Sequence, residues 1–209
     1  MPEEPITVFL VDDHTLVRRG FRRLLEDDPG IRVIGEASDG HEALAAVAEL
    51  KPDVVVMDFA LPSMNGAVAT RRIRDLVPAT AVLILSMHEE ANYVRTCLEA
   101  GACGYLLKNA MDLELVAAVK KAAAGERVLD PRLGRFEENA EPTPSLTTRE
   151  LEVLQLIVHG KSNKDIATVL GLSANTIAVH RANIMQALGI HNTAELVVYA
   201  IRNGLVSIA

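Results

Sequence analysis

The chain has 209 residues, of which 49% are hydrophobic and 23% charged, and its formal net charge is −7 at pH 7. This length allows one large domain or two of ordinary size, and the hydrophobic content is sufficient for well-packed cores. No apolar run approaches the roughly 18 residues that span a bilayer, and the start MPEEPITVF lacks the basic and apolar segments of a secretory signal, so we expect a soluble, cytoplasmic protein with no membrane partner.

Apolar, strand-like runs alternate with amphipathic helical stretches in the first half of the chain. The predicted strands are Thr7–Val11, Arg32–Ala37, Val54–Met57, Ala81–Leu85 and Gly104–Leu107. Strict alternation of strand and helix favours a parallel sheet with right-handed crossovers and helices on both faces. We therefore predict an α/β, doubly wound (βα)5 domain with a parallel five-stranded sheet in residues 1–125.

The composition changes after Gly125. Residues 126–145 contain three prolines and several charges, and few bulky apolar residues follow Phe136. Such a composition favours a semi-extended tether over a packed element. We predict a linker at 126–145.

Four helical segments follow in residues 146–209. Their predicted N-caps are Thr147 with Glu150, Ser162 with Asp165, Ser173, and Asn192 with Glu195. The middle pair is joined across Gly171-Leu172-Ser173, the short glycine-containing turn of a helix-turn-helix. We predict a small all-α four-helix domain of this type.

Acidic residues come directly after two of the predicted strands. Asp12 and Asp13 follow ITVFLV, and Asp58 follows DVVVM. The carboxyl ends of parallel strands meet in one crevice, where three carboxylates repel one another unless a hard cation lies among them. Oxygen ligands of this kind suit Mg²⁺, so we predict a magnesium site.

Ser86 and Lys108 follow two further strands and complete a set suited to phosphoryl transfer. Mg²⁺ and one carboxylate can accept a phosphoryl group if Asp58 attacks in line. Lys108 would pair with the phosphoryl oxygens, and the Ser86 hydroxyl would donate to another. Each residue alone has a structural alternative, such as a helix cap or a surface lysine. Their occurrence after four separate strands favours function.

Residues 6–124 resemble the receiver domain of bacterial response regulators, through VDDH at 11–14, MDFALPSMNG at 57–66, LSMHE at 85–89 and GYLLK at 104–108. The resemblance implies that Asp58 is the phosphoacceptor. It implies that Asp13, Asp58 and the backbone carbonyl of Ala60 bind Mg²⁺, with Asp12 acting through water.

The same resemblance assigns roles beside the acids. Ser86 and Lys108 would contact the phosphoryl group, and Tyr105 matches the family's switch aromatic. Many receivers have proline where this chain has Asn109, and the family's geometry implies a cis bond before it. His88 is expected to be a solvated loop histidine, with control of water access to the acyl phosphate as the alternative.

The second half resembles the LuxR-type helix-turn-helix of the NarL/FixJ response-regulator subclass, with the matching sequence LTTRELEVLQLIVHGKSNKDIATVLGLSANTIAVHRANIMQALG. Projection of the third segment at about 100° per residue places a core stripe on one side, formed by Ile177, His180, Ile184 and Leu188. The opposite face is predicted to enter the major groove of double-stranded DNA; it contains Asn175, Val179, Ala182 and Gln186, with Ala178 and Asn183 flanking it. The candidate phosphate contacts are Lys161, Lys164, Ser173, Thr176 and Arg181.

Together these features predict a transcription regulator and not an enzyme. Phosphorylation of Asp58 by a sensor histidine kinase would promote a homodimer, which doubles the contacts of a groove face that is short of cations. An aspartyl-phosphate hydrolase of the dehalogenase type is disfavoured because no second acid stands two residues after Asp58. A receiver-like module that binds DNA constitutively is the remaining alternative.

Overall fold

The protein, described here by a computed structural model, divides into two compact units, Met1–Phe136 and Glu137–Ala209. The structure describes residues 4–62, 64–108, 112–133 and 146–206. Residues 134–145 of the predicted linker, and Asn109 of the predicted cis bond, lie outside the described residues. Within the described ranges, no helix combines the length and the apolar character needed to cross a membrane.

The first unit alternates strand and helix along the chain. Its elements are β1 (Ile6–Val11), α1 (Thr15–Glu26), β2 (Ile31–Ala37), α2 (Gly40–Leu50), β3 (Val54–Asp58), α3 (Gly66–Leu76), β4 (Ala81–Ser86), α4 (Ala91–Glu99), β5 (Gly104–Leu107), α5 (Asp112–Ala123), β6 (Val128–Leu129) and a 3-10 turn (Pro131–Leu133). The five predicted strands therefore lie within one residue of their observed bounds at each end.

The sheet of the first unit contains six parallel strands, in the order β2-β1-β3-β4-β5-β6. The prediction of five strands is therefore wrong by one. The additional strand β6 pairs with Gly104 and Tyr105 of β5, and it lies in the segment predicted to be linker. A strand of two residues is too short to produce a period-two pattern in the sequence.

Helices cover both faces of this sheet, as expected for a doubly wound domain. Helices α1 and α5 pack on one face, where one apolar cluster joins alternate strand residues such as Val8, Val56 and Leu83 to Leu25 and Val119. Helices α2, α3 and α4 contact one another in sequence. The strands are buried on both sides, which explains why they are nearly continuous runs of Val, Ile and Leu.

Gly104 allows β6 to approach β5. A Cβ atom at this position would lie 2.8 Å from Leu83 Cδ1 and 2.9 Å from Val128 Cβ. Real Cβ atoms almost never come so close, so Leu83 or Val128 would have to shift within a tightly packed core. The absence of a side chain at residue 104 is therefore a condition for the sixth strand.

The second unit is helical, with α6 (Thr148–Val158), α7 (Asn163–Leu170), α8 (Ala174–Leu188) and α9 (Thr193–Arg202). The predicted capping boxes at Thr147 and Ser162 are confirmed. Asn192 also caps its helix by accepting from the Glu195 N–H. The return hydrogen bond differs from that of a capping box, because it comes from the Asn192 side-chain amide, which donates to Glu195 Oε2 at 3.2 Å. Helix α7 ends at Gly171 in the left-handed conformation, and α8 begins after Ser173. This is a helix-turn-helix arrangement.

We expect Gly104→Ala to lower the free energy of unfolding by about 1 to 3 kcal/mol, because β6 or Leu83 must shift to accept the methyl group. Urea denaturation of the full chain measures this. Gly20→Ala is the matched control, since Gly20 is exposed within α1 and has no atom within 4 Å of the added Cβ. The control should raise stability by about 0.5 to 1 kcal/mol. Equal effects of the two changes would contradict the role of Gly104.

Candidate functional site

The carboxyl ends of four neighbouring strands bring the predicted receiver residues together. Asp12 and Asp13 follow β1, Asp58 ends β3, Ser86 ends β4, and Lys108 follows β5. The exposed fractions of Asp12, Asp58 and Ser86 are only 3%, 2% and 1%. Polar groups buried to this degree need partners, and they find them in one another.

The ammonium group of Lys108 lies between two of the acids. Its Nζ is 2.6 Å from Asp58 Oδ2 and 2.8 Å from Asp12 Oδ2. Burial alone would lower the pKa of Lys108, but the two facing carboxylates outweigh this effect and raise it. The lysine is therefore a permanent positive charge at the centre of the site.

The Asp58 carboxyl group is buried beside one cation and a further acid. Burial raises the pKa of its carboxyl group, Lys108 opposes the shift, and Asp12 adds to it. The backbone N–H of Ala60 donates to Asp58 Oδ1 at 3.1 Å. One oxygen thus faces the ammonium group and the other is held by the loop that follows β3.

The acidic cluster has unfilled acceptor capacity. One ligand atom from each of Asp12, Asp13, His14 and Asp58 lies within 4.8 Å of the others. Asp12 Oδ2 faces the Lys108 ammonium group at 2.8 Å and Asp13 Oδ1 faces the His14 ring at 2.7 Å, and no further donor to either buried oxygen is found among the described residues. Buried carboxylate oxygens with acceptor capacity to spare suit a hard divalent cation such as Mg²⁺.

The hydroxyl groups of Ser86 and Tyr105 both bind the loop that follows β4. Ser86 Oγ accepts the backbone N–H of His88 at 3.1 Å, and Tyr105 donates its hydroxyl to the His88 carbonyl at 2.9 Å. Tyr105 is completely buried. Burial is the main reason that the pKa of its phenol is raised, so the group remains a hydrogen-bond donor.

His88 is not the solvated loop histidine that the sequence suggested. Its ring stacks on Tyr93 with centroids 4.1 Å apart and planes 10° apart, and Tyr93 meets the edge of Phe59 at 5.2 Å. Phe59 directly follows Asp58. The aromatic contacts therefore tie the loop after β4 to the loop after the acid.

Gly66 is a site residue to which the sequence analysis gave no role. A Cβ atom there would lie 2.9 Å from Phe59 Cα, and its N–H donates to the Phe59 carbonyl at 2.8 Å. The preceding Asn65 is buried and caps α3 by accepting from the Val68 N–H. The Asn-Gly pair shortly after Asp58 was the available sequence signal.

In the second unit, the predicted groove face of α8 is exposed. Asn175, Ala178, Val179, Ala182 and Gln186 are all exposed, whereas the core residues Ile177 and Ile184 are buried. The remaining predicted core residues, His180 and Leu188, are half-buried. The helix therefore presents a continuous surface of small, amide and apolar side chains.

The candidate phosphate contacts differ in their exposure and in the hydrogen bonds that they make. Lys161, Lys164 and Ser173 are exposed, and Thr176 is half-buried. The Arg181 guanidinium group donates to Asn163 Oδ1 at 3.2 Å and to Thr193 Oγ1 at 2.8 Å. Arg181 therefore joins α8 to the first residues of α7 and α9.

We expect Asp58→Asn to raise the free energy of unfolding by about 0.5 to 2 kcal/mol in magnesium-free buffer at pH 7. Because the pKa of Asp58 is raised in the folded protein, its ionised form destabilises the fold above that pKa, and the cost disappears as the pH falls through it. Urea denaturation at several pH values tests this. Asp75→Asn, an exposed change in α3, is the control. Destabilisation by Asp58→Asn at pH 7 would contradict the electrostatic account.

Two protein families match the two halves of the chain. Residues 8–120 match the family described as response regulator receiver domain. Residues 144–200 match bacterial regulatory proteins of the luxR family. These matches confirm both resemblances that the sequence motifs indicated.

Similar proteins support the same assignment over the full length. The transcriptional regulatory protein LiaR of Bacillus subtilis is 40% identical over 97% of this chain and 100% of its own. A two-component response regulator of the LuxR family from Aurantimonas sp. has 41% identity and a TM-score of 0.61 over 64% of this chain and 95% of its own.

A third similar protein has been solved with DNA. RcsB from Salmonella enterica serovar Typhimurium, bound to promoter rprA in the presence of the phosphomimetic BeF3−, has 25% identity and a TM-score of 0.64 over 94% of this chain and 98% of its own. Another structure contains two RcsB dimers bound to two parallel DNAs. On the matches of both halves, the chain belongs to the two-component response regulators of the NarL/FixJ type, with a receiver domain and a LuxR-type DNA-binding domain.

Proposed function

We propose that Asp58 accepts a phosphoryl group from a sensor histidine kinase and that this modification controls sequence-specific binding to DNA. The observation that carries the proposal is the position of the Lys108 ammonium group, within 2.8 Å of both Asp58 and Asp12 at the ends of the strands. A buried acid beside a fixed cation and two further acids that can hold a metal ion is suited to receive a phosphoryl group.

Mg²⁺ would be held by Asp12, Asp13, Asp58 and the backbone carbonyl of Ala60. The buried acceptor atoms of Asp12 and Asp13 support this choice, as does the close spacing of the acidic ligand atoms. When bound, the ion would supply positive charge to the oxygens of the transferring phosphoryl group.

In the proposed step, an Asp58 carboxylate oxygen forms a bond to the phosphorus of the kinase's phosphohistidine. The phosphorus–nitrogen bond breaks, and its electron pair leaves with the imidazole nitrogen, which then takes a proton. Lys108 would pair with a phosphoryl oxygen, and Ser86 would donate its hydroxyl to another. The Tyr105 hydroxyl donates a hydrogen bond to the His88 carbonyl, in the loop that follows Ser86. Tyr105 would therefore change position when that loop moves.

The exposed face of α8 would enter the major groove. Asn175 and Gln186 can pair with adenine edges, and Val179 can contact a thymine methyl group. Lys161, Lys164, Ser173, Thr176 and Arg181 would contact phosphates, with Ala178 and Ala182 allowing close approach of the helix. Arg181 would do so from a position already fixed by Asn163 and Thr193.

A homodimer would present two such helices to two half-sites. The RcsB structures with promoter DNA, and with dimers on DNA, support this arrangement as a likeness. We propose residues 1–125 as the receiver, 126–145 as the linker and 146–209 as the DNA-binding domain, with β6 near the start of the linker added to the receiver sheet, and we propose action in the cytoplasm. The family matches at 8–120 and 144–200 support these bounds.

Phosphorylation can be tested with Mg²⁺ and a small phosphodonor such as acetyl phosphate. We expect a mass increase of one phosphoryl group, a change from monomer to dimer, and tighter binding to a duplex selected from a random pool. Asp58→Asn should abolish all three changes, and chelation of Mg²⁺ should prevent the labelling. Intact mass spectrometry, light scattering and fluorescence anisotropy measure them.

Other outcomes would replace the proposal. Equal DNA affinity with and without the label would indicate a constitutive DNA-binding protein. Continuous release of phosphate without DNA binding would indicate a hydrolase. Labelling that persists in Asp58→Asn would place the phosphoacceptor elsewhere.

Base and phosphate contacts can be separated by comparing selected and unrelated duplexes. Gln186→Ala should weaken binding to the selected duplex by about 1 to 3 kcal/mol and leave unrelated duplexes nearly unaffected. Lys164→Ala should weaken binding to both and reduce the slope of log K against log salt by about one. Loss of sequence preference in Lys164→Ala, or uniform loss in Gln186→Ala, would contradict the proposed docking face.

A further inference from the structure

A buried carboxylate joins β6 to the end of β5. Asp130 directly follows β6, and its side chain has no exposed surface. Asp130 Oδ2 accepts the backbone N–H of Leu107 at 3.0 Å, while the Asp130 N–H donates to the Tyr105 carbonyl at 2.9 Å. In a longer parallel ladder the Asp130 carbonyl would accept the Leu107 N–H, but here it accepts from Leu133. The side chain therefore extends the ladder by one bond after the strand has ended.

Arg132 holds this carboxylate in place. Its Nε donates to Asp130 Oδ1 at 2.8 Å and its Nη2 to Oδ2 at 2.6 Å, and its backbone N–H also donates to Oδ1 at 2.9 Å. The hydrogen bonds from Arg132 are the main reason that the pKa of Asp130 is lowered to about 2. Arg132 Nη2 also lies 3.8 Å from Glu114 of α5.

The set formed by Leu107, Asp130 and Arg132, here the Asp130 clasp, lies between two functional parts of the chain. On one side, its bonds enclose Tyr105 to Leu107, and the next residue is Lys108, whose ammonium group touches Asp58 and Asp12. On the other side, the 3-10 turn ends at Leu133, and the rest of the predicted linker follows it along the chain towards the DNA-binding unit. Buried, charge-assisted bonds of this kind have narrow geometric tolerance.

We propose that the Asp130 clasp couples the phosphorylation state of Asp58 to the DNA-binding unit, with Asp130 and Arg132 acting as positioning residues. A movement of Lys108 towards a phosphoryl group displaces the end of β5. The clasp passes that displacement to the 3-10 turn within the linker, because the Leu107 N–H and the Arg132 guanidinium group share the Asp130 carboxylate. The inference rests on the proposed function, since it concerns how the same modification is transmitted.

A clasp with a merely structural role would have a different signature. Breaking it would lower stability and leave the effect of phosphorylation on DNA affinity intact in the molecules that remain folded. A coupling role requires that the two phosphorylation states no longer differ in affinity even at equal occupancy of Asp58. The ratio of the two affinities therefore separates the roles, whereas stability alone does not.

The experiment compares Asp130→Asn and Arg132→Gln with wild type in the full chain. Asp130→Asn keeps an acceptor for the Leu107 N–H and removes the ion pair, and Arg132→Gln is a milder change in case the first variant folds poorly. Glu126→Gln and Lys121→Gln are controls that make the same charge changes at exposed positions of the same region. Each protein is labelled with acetyl phosphate and Mg²⁺, Asp58 occupancy is read by intact mass, and affinity for the selected duplex is measured with and without label.

We expect both clasp variants to take up label within about twofold of wild type. The ratio of labelled to unlabelled DNA affinity should be about fivefold or more smaller than in wild type. The double variant should lose no more than either single variant, because the two residues act as one unit. The controls should keep the wild-type gain.

Three results would overturn the inference: an undiminished gain in both clasp variants, additive losses in the double variant, or loss of labelling that accounts for the lost gain. A wild-type protein that takes up label without any gain in affinity would instead refute the proposed function itself. The two failures are therefore distinguishable, since only the second appears in wild type.

Discussion

The site depends on a single ammonium group shared by two buried carboxylates. Lys108 holds Asp58 and Asp12 at hydrogen-bonding distance, yet Asp13 and His14 add further ligand atoms to the same cluster. One positive charge does not neutralise three acids, so the acids remain together only because hydrogen-bonded neighbouring strands fix their positions. The parallel sheet thus maintains an excess of negative charge, which a divalent cation would offset.

Sequence reasoning predicted the parts of the fold that rest on repeated patterns. Long apolar strands and amphipathic helices identify themselves by periodicity, and parallel topology then brings Asp58, Ser86 and Lys108 to one edge. The sixth strand was not predicted, because a strand of two residues shows no alternating pattern and because its position depends on the close approach of Val128 to Gly104. The hydrogen bond between Asp130 and Leu107 was not predicted either, because the two residues are 23 positions apart and no local sequence pattern indicates the contact.

The distance along the chain to each polar residue's contact partner also explains which of these contacts could be predicted from the sequence. Helix caps in the second unit were predictable, since Thr147 and Ser162 bond within three residues of themselves. Arg181 was predicted as a phosphate contact, and the structure adds that its guanidinium group joins the N-termini of two helices. His88 lies in a loop, as predicted, but its ring stacks on Tyr93 and is not simply surrounded by solvent. Composition shows which groups a chain possesses, whereas only the fold determines which of them remain available to a ligand.

The short sixth strand also has a consequence for self-association. Without it, the β5 backbone would form an open sheet edge, which is a template for pairing with another chain. Val128 and Leu129 cover most of that edge, and the Asp130 carboxylate occupies the Leu107 N–H beyond them. Strand addition at β5 is therefore blocked by the chain itself, and the edge that remains on this side of the sheet is a strand of only two residues, which offers little backbone for pairing with another chain.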